Sequence, residues 1–184
     1  VLVIGMFAGT FGGLLIIGNL SPIVMGAGLS KTDAILAISL FAVGNAIGRV
    51  TWGYAFDYLG YKSVPLSLAA FAVTALLLLA PLSNWMVLAV VALIGFGFGA
   101  NFVLYASTIT RKFGIESFPN LYPICFLAYG LAGIIGPGVG GRIADYTKSY
   151  DTALIISVVI LSLAFLVTTV KKGLFEEKKE EATA

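Results

Sequence analysis

Arg49 is the residue of this chain best suited to hold a charged solute. A guanidinium stays protonated at any physiological pH and presents a planar fork that fits the two oxygens of a carboxylate. Asn45 lies four residues before it and Gly53 four after. On a helix that spacing places an amide, a cation and a side-chain-free gap along one stripe. Tyr122, Phe126 and Tyr129 share a face of a second helix, and Asn101 and Tyr105 share a face of a third. Their amide and hydroxyl groups can donate hydrogen bonds to carboxylate oxygens. Asn19 is a lesser candidate inside another apolar run. Each has a plainer use. An arginine can reach out to lipid headgroups, and tyrosines in apolar helices anchor at an interface or pack between helices. The plainer use is preferred for Tyr146 and Tyr150.

Other chemistry is excluded by what the chain lacks. It contains no histidine and one cysteine, Cys125, so the commonest general base and metal ligand is missing and no internal disulfide can form. A nucleophile–base pair would have to be Ser–Lys or Asp–Asp. No lysine falls within an apolar run, and no two carboxylates share a face. Asp33, Asp57, Glu116, Asp145 and Asp151 all fall at the ends of apolar runs. No catalytic residue, metal or cofactor is expected. Net charge is +2, and the basic residues are scattered without stacking aromatics, so no nucleic-acid partner is expected either.

The elements that position these residues are membrane helices. Hydrophobic residues make up 59% of the chain and charged residues 11%, and mean hydropathy is +1.02. A spanning helix needs roughly 20 mainly apolar residues. Six stretches qualify, at 1–27, 31–57, 63–82, 84–110, 118–141 and 150–170, and the expected class is an all-α polytopic membrane protein. Ser30, three residues before Asp33, reads as the cap of the second helix. Arg142 to Asp151 reads as a polar link, and 173–184 as a polar tail. One side of the membrane receives Lys62, Arg111, Lys112, Lys171, Lys172, Lys178 and Lys179; the other receives Lys31, Arg142 and Lys148. The first side, with the C-terminus, is expected to be cytoplasmic. The chain opens Val-Leu-Val-Ile-Gly inside an apolar run with no charged leader, which suggests a cut from a longer protein and not a signal peptide.

Most of the 22 glycines fall inside these helices, where small residues let backbones approach. Gly48, Gly53, Asp57 and Tyr58 also match Gly136, Gly141, Asp145 and Tyr146 at an offset of 88 residues. Three spans separate the two copies, so the expectation is two inverted three-helix repeats, with Asp57 and Asp145 on opposite faces. Such repeats enclose a solute site at their interface.

Two resemblances extend this reading. The run from Gly53 through Asp57, Gly60 and Lys62 resembles the G-x-x-x-D-(R/K)-x-G-x-(R/K) loop signature of the major facilitator superfamily, with Tyr58 in place of the basic residue after the aspartate. It implies a gating role for Gly53, Asp57, Gly60 and Lys62, and for the repeat partners Gly141 and Asp145. More narrowly, Gly13 to Asn19, Asn45 to Gly53, Gly99 to Phe102 and Tyr122 to Gly141 resemble the C-terminal half of the oxalate/formate antiporter family. That implies residues 1–172 are one six-helix half of a secondary carrier for small organic anions, paired with an N-terminal half. The membrane would be a bacterial or archaeal cytoplasmic membrane. Arg49 would contact the substrate carboxylate; Asn45, Tyr129, Asn101, Tyr105 and Tyr122 join it as candidates on the residue types and spacing described above. In the oxalate carriers a lysine lies on helix five, where this chain reads Ala128-Tyr129-Gly130. With that cation missing, a monocarboxylate or a mixed polar acid is expected over oxalate. With no buried acid, coupling is either exchange or supplied by the other half. The competing readings are a six-helix channel and a homodimeric carrier for another small solute.

Overall fold

The computed structural model describes residues 1–171, so the tail expected at 173–184 lies outside the described residues. Every element among the described residues is helical: α1 (Leu2–Gly18), α2 (Leu20–Gly26), α3 (Lys31–Leu59), α4 (Ser63–Leu77), α5 (Asn84–Phe113), α6 (Phe118–Thr147) and α7 (Asp151–Val170). Lys31–Leu77, Asn84–Phe113, Ile115–Thr147 and Asp151–Val170 are each long and apolar enough to cross a membrane, and α1 with α2 forms a further span bent by 63°. The continuous run Lys31–Leu77 is two passes. It turns back at Gly60, whose φ of +57° is open to glycine and strained for other residues.

Close contacts at the glycines fix the directions. Gly5, Gly9 and Gly13 of α1 receive the side chains of Tyr105, Asn101 and Phe98 of α5, so these helices are antiparallel. Gly44, Gly48 and Gly53 of α3 meet Ala92, Phe96 and Val103 of α5, so α3 and α5 are parallel and α4 between them runs the other way. Gly133, Gly136 and Gly140 of α6 meet Leu14, Leu15 and Asn19, so α6 is parallel to α1. The chain therefore makes six passes in alternating directions.

The inverted repeat is visible in the element boundaries. Gly26 and Gly114 follow or end one pair of spans, Leu59 and Thr147 end the next, and Ser63 and Asp151 start the third; each pair is 88 residues apart. The packing repeats too: α3 packs on α5 as α6 packs on α1, and α4 on α5 as α7 on α1.

Three boundaries differ from expectation: the third span stops at Leu77 and not at 82, and two others differ for reasons the packing shows. The first span is not one helix over 1–27 but breaks at Gly18–Asn19. Pro22 has no N–H to bond the Gly18 carbonyl, which bends the helix there. Asn19 then bridges the break. Its Nδ2 donates to the Leu15 carbonyl at 2.9 Å and the Pro137 carbonyl at 3.1 Å, and the Tyr150 hydroxyl donates to its Oδ1 at 3.4 Å. The fifth span does not stop at 141 either. Helix continues to Thr147 and is closed by Lys148 in the left-handed region, so Arg142, Asp145 and Tyr146 are helical. The cap expected at Ser30 is present as a full box: the Asp33 N–H donates to Ser30 Oγ at 3.2 Å and the Ser30 N–H to Asp33 Oδ2 at 3.1 Å.

Candidate functional site

Arg49 and Asn45 are placed by the seam between α3 and α5. A Cβ on Gly44 or Gly48 would meet the Ala92 or Phe96 carbonyl of α5, and one on Gly95 the Phe41 carbonyl of α3. The two backbones touch with no side chain between them. That contact locks the register, and it carries Phe102 of α5 up beside Arg49 of α3. Since α3 ends at Leu59, Arg49 lies ten residues from that end, about 15 Å along the axis.

The guanidinium is held on two sides. Its Nε donates to Asn45 Oδ1 at 3.2 Å, and its Cζ stands 4.4 Å from the centroid of the Phe102 ring. Its Nη edge has no hydrogen-bond partner among the described residues, and the side chain is exposed. The fork is therefore displayed on the face of the bundle where α3, α5 and α6 meet.

Aromatic side chains form the rest of this face. Tyr129 meets Phe102 edge-on, with centroids 5.4 Å apart, and packs on Phe126 at 5.0 Å. Tyr122 continues the row at 5.5 Å from Phe126, and its hydroxyl donates to the Phe102 carbonyl at 3.4 Å. The structure thus brings together Arg49, Asn45, Tyr122 and Tyr129. Asn101 and Tyr105 go elsewhere. Both are buried in the contact with α1, against Gly9 and Gly5, and Asn101 Nδ2 donates to the Phe98 carbonyl of its own helix at 3.1 Å. The Tyr105 hydroxyl is buried without a hydrogen-bond partner among the described residues.

Phe102 is the member that residue-type reasoning passed over. Aromatic residues in apolar helices are ordinary filling, and only the α3–α5 register shows that this one faces a cation. The available signal was the small residues Gly95 and Gly99 spaced four apart on α5. They mark a close seam, and Phe102 lies one turn beyond it.

The loop-motif residues sit at the two ends of the bundle. Asp57, Gly60 and Lys62 line a cleft of about 260 Å³ with Arg111 and Lys112, three cations to one carboxylate. Arg111 also stands 5.9 Å over the Phe56 ring. Burial pushes the Tyr61 phenol in this turn up to about 12, so it remains a neutral donor. Gly53 packs on Val103, and Gly141 on Asn19. Asp145 is exposed at the far end of the bundle from Asp57.

A bundle of six alternating spans built as two inverted repeats, with Arg49 displayed on one face, defines an integral membrane protein of transporter architecture. Residues 2–183 match the Major Facilitator Superfamily, and the chain belongs to that family. It is 29% identical over 166 residues to the oxalate:formate antiporter of Oxalobacter formigenes, covering 89% of this chain and 40% of that protein. It is 30% identical over 123 residues to monocarboxylate transporter 9 of Rattus norvegicus, covering 65% of this chain and 24% of that protein. It is 26% identical over 165 residues to human monocarboxylate transporter 12, covering 83% and 32%. These relatives are named as transporters, not enzymes. The chain spans less than half the length of each.

Proposed function

We propose that this chain is one six-helix half of a secondary carrier that moves small organic anions across a membrane by alternating access, taking monocarboxylates in preference to oxalate. The observation that carries the reading is the Arg49 fork. It is fixed at Nε by Asn45 and on one face by Phe102, with its two-pronged edge left open. That edge matches a carboxylate in geometry and charge. The names of the relatives point to the same class of cargo.

The preference for one carboxylate rests on Tyr129. It occupies the place where the oxalate carriers have a lysine, and here it packs against the aromatic row. A substrate with two carboxylates would meet one cation from this half and an uncharged wall. The partner is an N-terminal half supplied by a longer protein, covering the exposed faces of α3 and α6. The basic end, with Lys62, Arg111, Lys112 and the C-terminus, faces the cytoplasm of a bacterial or archaeal cell. Among the described residues every acid lies within a turn or two of a span's end, so coupling is by exchange or comes from the other half.

The test is exchange by the full-length protein in liposomes, with labelled formate, lactate, pyruvate and oxalate. The expected result is exchange of at least one monocarboxylate faster than oxalate. Oxalate as the best substrate would overturn the preference, and no exchange of any of the four would overturn the cargo class.

A further inference from the structure

We propose that Phe102 is the positioning residue of the Arg49 fork, holding it in the solute path by contact between the ring face and the guanidinium. This rests on the reading of Arg49 as the carboxylate anchor. An arginine on an exposed helix face has a long stem and several rotamers, and in a bilayer it tends to extend toward headgroups and water. Two contacts oppose that here. Asn45 fixes Nε at 3.2 Å but leaves the plane free to swing about that bond. The Phe102 ring fixes the plane, with Cζ 4.4 Å from its centroid.

The ring is itself held by two edge contacts, and its backbone by a third, as a platform must be. Phe98 meets it edge-on at 5.3 Å with planes at 84°, and Tyr129 meets it edge-on at 5.4 Å with planes at 69°. The Phe102 carbonyl accepts from the Tyr122 hydroxyl of α6 at 3.4 Å. Side chains of two helices, α5 and α6, therefore orient one ring, and the ring orients a cation on a third, α3. A guanidinium pre-set in this way loses less freedom when a carboxylate docks, so the contact acts on affinity. It stays in place while the substrate crosses, so it has little leverage on turnover.

The experiment is exchange kinetics of the full-length carrier, using whichever of formate, lactate, pyruvate and oxalate it exchanges fastest. Wild type is compared with Phe102→Leu, Phe102→Tyr and Phe102→Trp, and with Phe165→Leu on α7 as a loss of a ring packed on the core away from this face. Phe102→Leu is expected to raise KM by about 3- to 30-fold, the span that cation–ring contacts cover, with kcat within about twofold. Tyr and Trp, which keep a ring face, are expected to hold KM within about threefold, and Phe165→Leu to do the same. A residue that only fills space would give the opposite order, with Trp worst and Leu mild, and that order would overturn the proposal. So would a fall in kcat at unchanged KM for Phe102→Leu. If that protein does not accumulate in the membrane, Phe102→Met carries the same expectation. Arg49→Gln separates the two ideas. If it abolishes exchange while Phe102→Leu leaves KM alone, the anchor stands and Phe102 is not its positioner. If Arg49→Gln exchanges like wild type, the anchor reading fails and this inference falls with it.

Discussion

Arg49→Gln is expected to lower carboxylate exchange by about two to three powers of ten while the protein still inserts and purifies. A hydrogen bond to a charged group contributes about 1.5–3 kcal/mol, and the open edge of the guanidinium offers two of them to one carboxylate. Losing both would remove roughly 3–6 kcal/mol, and the amide donor that glutamine retains brings the expected factor to the lower part of that span. Arg49→Lys keeps the charge but not the fork, and about a tenfold loss is expected. The variants should fold, because Arg49 is exposed in the bundle and supports no buried network. The measurement is labelled-substrate exchange at matched protein, with the melting temperature in detergent as the check on folding. Exchange at wild-type rate by Arg49→Gln would remove Arg49 from the mechanism.

The second large effect is structural. Gly48→Leu is expected to destabilise the bundle by about 3 kcal/mol or more, above the usual range for overpacking. At this position even a Cβ would meet the Phe96 carbonyl, which is backbone and cannot turn aside. The helices must separate, and separation also draws Arg49 away from Phe102. Gly48→Leu is therefore expected to lose exchange as well as thermal stability. Gly26→Ala is the matched control. No atom lies within 4 Å of its added Cβ, and little change is expected. If Gly48→Leu melts with wild type, the backbone contact between α3 and α5 is not what holds them together.

Much of this architecture is legible in the residues, because the bilayer imposes long apolar runs and a repeat imposes a period. Gly48 through Tyr58 matching Gly136 through Tyr146 anticipates the 88-residue offset at which elements end and begin. The Arg49–Asn45 contact is legible as well, since both lie on one helix and helical spacing fixes their relation. What lies between helices is harder to read. Asn101 and Tyr105 share a face as expected, but that face is turned to α1. Which way it turns depends on Gly5, Gly9 and Gly13 forming a groove of the right pitch. The break at Asn19 is hidden for a related reason. A single asparagine beside a glycine does not pull a long apolar window below what a span needs, and Pro22 acts through a hydrogen bond it fails to make four residues back. Phe102 faces Arg49 only because two glycine-lined backbones meet in one register.

The seam between α3 and α5 also orders events during synthesis. The chain emerges from its N-terminus, so α3 enters the bilayer before α5 has been made. Until then Arg49 has its Asn45 partner on the same helix but no ring to rest on, and the glycine track of α3 faces lipid with no backbone against it. The second span is thus provisional until the fourth arrives. A nascent chain arrested after α4 is expected to hold α3 loosely in the insertion machinery, and one arrested after α5 to release it into the membrane.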